Sequence, residues 1–189
     1  MVLWHLPTDQ QDAAAEASAA AALPTPGQAR RDLLLRLYGP DVRELNTSNR
    51  RWDLMLSRER SIDLIELEQL TDAVGWTRRP LRRVRRALQH SLLVVGLWRH
   101  DPRLPKLVGF ARCTGDGVLN ATVWDVAVHP VYQGVGLGRG LMDYVVGQLQ
   151  REGVEDISLF ADPDVVGFYE NQGWSLEPDG RQCCFWYAS

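Results

Sequence analysis

Trp124-Asp125-Val126-Ala127-Val128-His129-Pro130-Val131-Tyr132-Gln133-Gly134-Val135-Gly136-Leu137-Gly138-Arg139-Gly140 is the stretch on which the fold turns. A strand pattern over 122–129 halts at Pro130 and a glycine-rich loop follows. Leu137, Leu141, Tyr144, Val145 and Gln148 or Leu149 then trace one face of a helix reaching about Arg151. A strand, a glycine loop and a helix in this order make an anion site. The first helical turn has N–H groups without intrahelical partners, the helix dipole adds partial positive charge, and glycines let a bulky phosphate approach the backbone.

Glycine spacing separates the alternatives. The dinucleotide pattern G-x-G-x-x-G fails twice, with Arg139 in the third place after Gly134 and Gly136, and Leu141 in the third place after Gly136 and Gly138. No Gly-Lys-Ser/Thr follows, which removes the P-loop nucleotidase. What stays is a backbone site for a phosphate-bearing ligand formed by Gln133, Gly134, Val135, Gly136, Leu137, Gly138 and Arg139. A surface loop without ligand is the alternative.

Working outward, Ile62, Ile65, Leu67, Leu70 and Val74 recur at roughly helical spacing with Gly75 as a stop, and Pro80 opens a second helix carrying Leu81, Val84 and Leu88. Strands are expected over 91–98, 107–113 and 122–129, separated by Asp-Pro and Gly-Asp-Gly turns, which makes an antiparallel meander. Downstream, 157–160 reads as a buried strand. Asp162-Pro163 opens a helix that Gly173 closes, and a strand over 183–187 ends the chain. Such an order gives an α/β (α+β) domain built around one mixed sheet. Residues 1–50 read as a poorly defined extension, an Ala/Pro/Ser/Gly tail followed by a short helix over 29–37, and compact folding begins near Trp52, giving a domain over 51–189.

At 189 residues and 45% hydrophobic the chain supports one core of ordinary size. Its net charge of −3 gives no global attraction to nucleic acid or anionic lipid, so the expected partner is a small molecule or a protein. No apolar run approaches the roughly 18 to 20 residues of a spanning helix, and the N-terminus lacks the basic start of a signal peptide, so a cytoplasmic setting is expected. The 3 cysteines, Cys113, Cys183 and Cys184, have no Cys-x-x-Cys spacing. They read as small apolar residues, the last two on opposite faces of the closing strand, and no metal site is expected.

The loop matches the Gln/Arg-x-x-Gly-x-Gly/Ala signature of the GNAT superfamily of N-acetyltransferases, here Gln133-x-x-Gly136-x-Gly138. Asp-Val-Ala-Val-His-Pro before it, and Phe168-Tyr169-Glu170-Asn171-Gln172-Gly173-Trp174 after it, also resemble that family, over roughly 62–187. Asn120-Ala121-Thr122-Val123-Trp124-Asp125-Val126, Ile157-Ser158-Leu159-Phe160-Ala161-Asp162, Val74-Gly75-Trp76, Arg78-Arg79-Pro80 and Phe185-Trp186-Tyr187 are similar to its plastid-type and cyanobacterial branch, which includes serotonin N-acetyltransferases. The resemblance implies a mostly antiparallel central sheet flanked by helices, and acetyl-CoA as acetyl donor. It assigns the pantetheine arm to the backbone of Val126, Ala127 and Val128, and the CoA thiol to Tyr169. A homodimer is kept as an option.

Acetyl transfer needs a neutral amine, a polarised carbonyl and a proton for the departing thiolate. An alkylamine of pKa near 10.4 is only about one part in a thousand neutral at pH 7.4, so some group must take its proton. Asp125, flanked by Trp124 and Val126 just before the loop, is the candidate base: apolar company raises a carboxyl's hold on a proton. An edge carboxylate satisfied by backbone or an arginine is the structural alternative. Tyr169 is a core aromatic on its spacing, and the resemblance makes its phenol the donor to the thiolate. Asp162, where many superfamily members carry Asn, reads first as a helix N-cap.

Arg78, Arg79, Arg82, Arg83, Arg85 and Arg86 read as a solvated helix face rather than a nucleic-acid surface, with phosphate or acidic-protein contact as the minority reading. His129 is expected to face solvent. The acceptor is a primary amine, arylalkylamine first, with Trp76, Trp98, Trp124, Trp174 and Trp186 available for an aromatic pocket. Protein α-amines and lysines are the alternative acceptors, and a non-catalytic acyl-CoA-binding module is the alternative of another class.

Overall fold

The computed structural model describes residues 25–45, 53–181, 183, 184 and 186. The chain divides into two compact units, Met1–Leu37 and Tyr38–Ser189. Helix α1 (Pro26–Tyr38) is the described part of the first, and its last residue belongs to the second. It starts three residues before the expected 29, because Thr25 and Gln28 bond each other reciprocally through side chain and backbone at its entry.

The second unit is built on one six-stranded sheet in the order β1 (Arg43–Glu44), β2 (Leu54–Ser57), β3 (Leu93–Arg99), β4 (Lys106–Gly115), β5 (Asn120–Val128) and β6 (Asp156–Leu159). Neighbours pair antiparallel as far as β5, and β6 runs parallel to it. The meander expected from the sequence is therefore β3–β5. Strands β1 and β2 precede it, and β1 lies in the stretch read as extension; two residues are too few to carry an alternating pattern.

Helix α2 (Leu64–Ala73) is opened by Asp63, whose Oδ1 accepts the N–H groups of Ile65 and Glu66, and it runs out at Gly75 with φ +83°. Pro80 caps α3 (Leu81–Gln89) from just outside. Both lie over the sheet face carrying Phe110 and Arg112. Helix α4 (Leu137–Arg151) covers the other, packing Leu141, Val145 and Leu149 with Val95, Leu97, Ala111, Cys113, Ala121 and Val123. Burial pushes the Cys113 thiol up to about 12, as suits an inert core side chain.

Three expectations near the C-terminal end change. Strand β6 is half exposed rather than buried, since among the described residues it is paired on one side only. Helix α5 (Val166–Glu170) begins after Val165 instead of at Asp162, because Asp162 C=O accepts Val165 N–H and closes a turn first. Cys183, Cys184 and Trp186 are exposed and belong to no strand, so the cysteines are not core residues; the rest of 183–187 lies outside the described residues.

In β3, Gly96 is fixed by packing: a Cβ there would fall 2.1 Å from Cη2 of Trp98, which is fully buried two residues along the same face. Gly96→Ala should cost about 1–3 kcal/mol of unfolding free energy by overpacking, seen as a lower urea midpoint at unchanged slope.

Candidate active site

Strand β5 pairs with β6 only where Asn120–Val123 meet Asp156–Leu159, and beyond Val123 the two diverge. Trp124, Ala127 and Val128 thus keep their β4 partners on one side, and among the described residues no strand pairs with 124–128 on the other. The divergence opens toward the glycine loop. Gln133 Nε2 donates to Val128 C=O at 2.7 Å and ties the loop to the strand end. Gly134 (φ +76°) and Gly136 (φ +85°) adopt left-handed backbone, and no heavy atom lies within 4 Å of where a Cβ would stand at either. Gly136 caps α4, whose first intrahelical bond is Gly140 N–H to Gly136 C=O, so the N–H groups of Leu137, Gly138 and Arg139 precede the helical ladder. Open space, unpaired donors and the positive helix end coincide, which is what an anion requires.

The loop is braced by α5. A Cβ at Gly138 would stand 3.1 Å from the Phe168 ring, and Arg139 Nη2 donates to Asn171 C=O at 3.0 Å. These contacts hold the helix carrying Tyr169 against the loop. Val135 packs on the core and Leu137 is buried within it, so these two contribute main chain to the loop's outer surface. Tyr169 is half-buried between Phe168 and Trp174, in edge contacts at 5.0 and 6.2 Å. Burial, with a smaller push from Asp162, raises its phenol above the ordinary 10.0.

Asp125 occupies a bulge. Arg112 pairs with Trp124 and Phe110 with Ala127, so Asp125 and Val126 together oppose Ala111. Asp125 takes φ +53°, a left-handed value that few residues other than glycine, asparagine and aspartate tolerate. Strict alternation would aim Asp125 at α4 with Val123. The bulge instead puts it beside Trp124 on the α2/α3 face, while Val126 turns to the α4 core. Its surroundings are also unlike the apolar company expected: Arg112 Nε meets Oδ2 at 2.5 Å and Arg79 Nη1 meets Oδ1 at 3.0 Å. Arg112 is 16% exposed and Arg79 61%, against 13% for Asp125.

The carboxylate lines a cavity of about 370 Å³ between α2, α3 and the sheet, walled by Leu67, Trp76, Leu81, Val84 and Phe110, with Glu68, Arg79, Arg83 and Arg112 as its other charged residues. Of the described tryptophans, only Trp76 lines it. Trp98 is core, Trp124 stacks on Phe160 at 5.2 Å with its indole N–H on Thr114 Oγ1, Trp174 sits by Tyr169, and Trp186 is exposed. His129 is half-buried rather than open to solvent, its Nδ1 accepting Val131 N–H at the turn after β5. Arg112, Phe110 and the Arg79 contact were not found from the sequence. Arg112 looks like any strand residue, and Arg79 sits in an arginine run 46 residues from its partner.

The acetyltransferase (GNAT) family model matches residues 61–174. The chain belongs to the GNAT family. It is an acetyl-CoA-dependent N-acetyltransferase. A ycf52-like N-acetyltransferase of Prochlorococcus marinus, itself uncharacterised, is 58% identical over 153 residues, covering 81% of this chain and 85% of that one. The chloroplastic serotonin N-acetyltransferase 2 of rice (Oryza sativa subsp. japonica) is 44% identical over 131 residues, covering 68% and 64%. Among solved structures, a GNAT family acetyltransferase from Streptococcus pneumoniae superposes with TM-score 0.59 at 27% identity, covering 72% of this chain and 98% of that one. The mixed, mostly antiparallel sheet flanked by helices is the GNAT fold.

A β-branched residue at Gly136 combines left-handed strain with a side chain in the space left for the anion. Gly136→Val should weaken acetyl-CoA binding at least about tenfold, about 1.4 kcal/mol, in calorimetry on the folded variant.

Proposed function

We propose that this enzyme moves the acetyl group of acetyl-CoA to a primary amine by direct attack in a ternary complex, and that the acceptor is an arylalkylamine of the serotonin or tryptamine type. One observation carries the reading: the cavity joins an apolar and aromatic wall of Leu67, Trp76, Leu81, Val84 and Phe110 to a charged part in which Asp125 lies with Arg79 and Arg112. An aryl group fits against Trp76 and Phe110, and the amine at the end of its alkyl arm reaches Asp125. The rice relative, named for serotonin, supports the same choice.

In this mechanism the loop from Gln133 to Arg139 holds the pyrophosphate through main-chain N–H groups, and the free edge at Val126, Ala127 and Val128 pairs with the pantetheine arm. Bound there, acetyl-CoA supplies the activated acetyl group. An edge N–H donates to its carbonyl oxygen, stabilising the negative charge that develops during attack. Asp125 draws the ammonium in and takes its proton, directly or through water. To do so Oδ1 must exchange Arg79 for the amine, and Arg79, the more exposed partner, is the one able to swing away while Arg112 keeps Oδ2. The Tyr169 hydroxyl then gives its proton to the departing thiolate, and its raised pKa keeps that proton in place throughout the physiological range. A cytoplasmic setting is part of the proposal, although the rice relative is named chloroplastic.

An acceptor screen with serotonin, tryptamine, polyamines and peptides tests the substrate class; turnover confined to polyamines would overturn it. Tyr169→Phe removes only the hydroxyl and should lower kcat by roughly 10- to 1000-fold with little change in stability. Its pH profile carries the sign of the shift. Since burial raises the wild-type phenol above its ordinary 10.0, no activity should be lost to Tyr169 ionisation across the neutral and mildly alkaline range. Asp125→Asn should keep acetyl-CoA affinity and lower kcat/KM. A wild-type rate would remove Asp125 from the chemistry.

A further inference from the structure

Helix α3 contains Arg82, Arg83, Arg85 and Arg86 and no acidic residue. All four are exposed, and among the described residues none makes an ion pair. This arrangement works against the helix that carries it. Arg82 and Arg83 lie in the first turn, where the helix dipole disfavours cations, and spacings of three and four residues set like charges side by side. In a chain of net charge −3 the excess is local. A partner bearing negative charge would relieve both penalties.

The helix separates two depressions. Arg83 faces the cavity that Asp125 lines, and Arg82 and Arg85 line an open groove of about 740 Å³. Leu64, Leu81 and Leu88 border both, so the two depressions adjoin along α3. The groove's acids are committed elsewhere: Asp63 caps α2, and Glu59 lies 3.4 Å from Arg58. Arg82 and Arg85 have no such partner.

We propose that α3 is a docking surface for an acidic polypeptide segment, whose amine-bearing end enters the cavity while the carboxylates behind it meet Arg82 and Arg85. The inference rests on the cavity being the acceptor site, and it names acidic proteins as a class of acceptor beyond free arylalkylamines. Guanidinium groups pair with carboxylates in forked geometry, and spaced arginines suit a chain with spaced charges. Nucleic acid fits less well because α3 offers no aromatic for base stacking, and a bilayer fits less well because its apolar residues face the two depressions.

The test uses the full chain and ten-residue peptides that share an N-terminal alanine and continue in Asp/Glu-rich, neutral or Lys-rich sequence. Binding is read by fluorescence anisotropy, which does not depend on turnover, and acetylation by thiol release. The acidic peptide should bind at least about tenfold more tightly than the Lys-rich one and lose that advantage at high salt. Arg82→Glu/Arg85→Glu should abolish the preference while serotonin turnover stays within about twofold. Arg82→Gln/Arg85→Gln, which adds no new charge, should give an intermediate loss. Equal binding of the three peptides, or a preference untouched in both variants, overturns the proposal. So does tighter, arginine-dependent capture of single-stranded RNA or phosphatidylglycerol vesicles. Serotonin turnover without peptide preference would sink the docking surface alone; peptide preference without serotonin turnover would sink the arylalkylamine reading alone.

Discussion

Strand β5 stays paired with β4 on both sides of its bulge but surrenders its pairing with β6 after four residues. Everything at the site depends on that surrender. A sheet that stayed paired would satisfy the edge from Trp124 to Val128 internally and close the space in front of α4. Parted, it leaves donors and acceptors in an extended row that ends at the start of a helix. The bulge at Asp125 lies in the same strand, at the other edge. In the proposed mechanism one strand serves both reactants: its free edge offers main chain to the thioester arm, and its bulge turns a carboxylate into the cavity between α2 and α3.

The two arginines on Asp125 are unequal. Removing one member of a buried ion pair leaves the other charge stranded, at a cost of about 3–5 kcal/mol, whereas an exposed pair contributes only about 0–1 kcal/mol. Arg112, on β4 and nearly covered, belongs near the first case, and Arg79, at the cavity mouth, near the second. In the proposed mechanism the carboxylate therefore has one permanent partner, which sets its direction, and one replaceable partner, which occupies the place an ammonium would take. A long side chain standing in for the substrate also keeps a buried acid from being left without a counter-charge between turnovers.

What could be read from the sequence follows the range of the forces involved. Helix α4 was legible because a spacing of 3.6 residues is written locally in Leu137, Leu141, Val145 and Leu149, and the loop because glycine is the residue that takes left-handed backbone most readily, as at positions 134 and 136. The bulge was not, since Trp-Asp-Val-Ala-Val alternates no worse than an ordinary strand and the extra residue is defined only by its partners on β4. The same holds for Arg79, whose role is fixed by a carboxylate on another element. The apolar neighbours of Asp125 along the chain suggested a desolvated acid, but the neighbours that count came from β4 and from the segment before α3. Asp162-Pro163 carried a helix-start signal and made a turn instead, because the carbonyl of Asp162 was taken before the helix began.

The left-handed glycines at 134 and 136 have a consequence for how this protein can change over generations. In the proposed binding mode the cosubstrate is gripped by main chain and does not read the loop's side chains. Val135 and Arg139 are turned to the core and to Asn171, so exchanges at them act on packing before they act on acetyl-CoA. The grip on the donor is in this sense insulated from most single-nucleotide substitutions, while the acceptor cavity, made of side chains, is not. Descendants of one ancestor are then free to trade one amine for another, keeping the acetyl source fixed throughout the exchange.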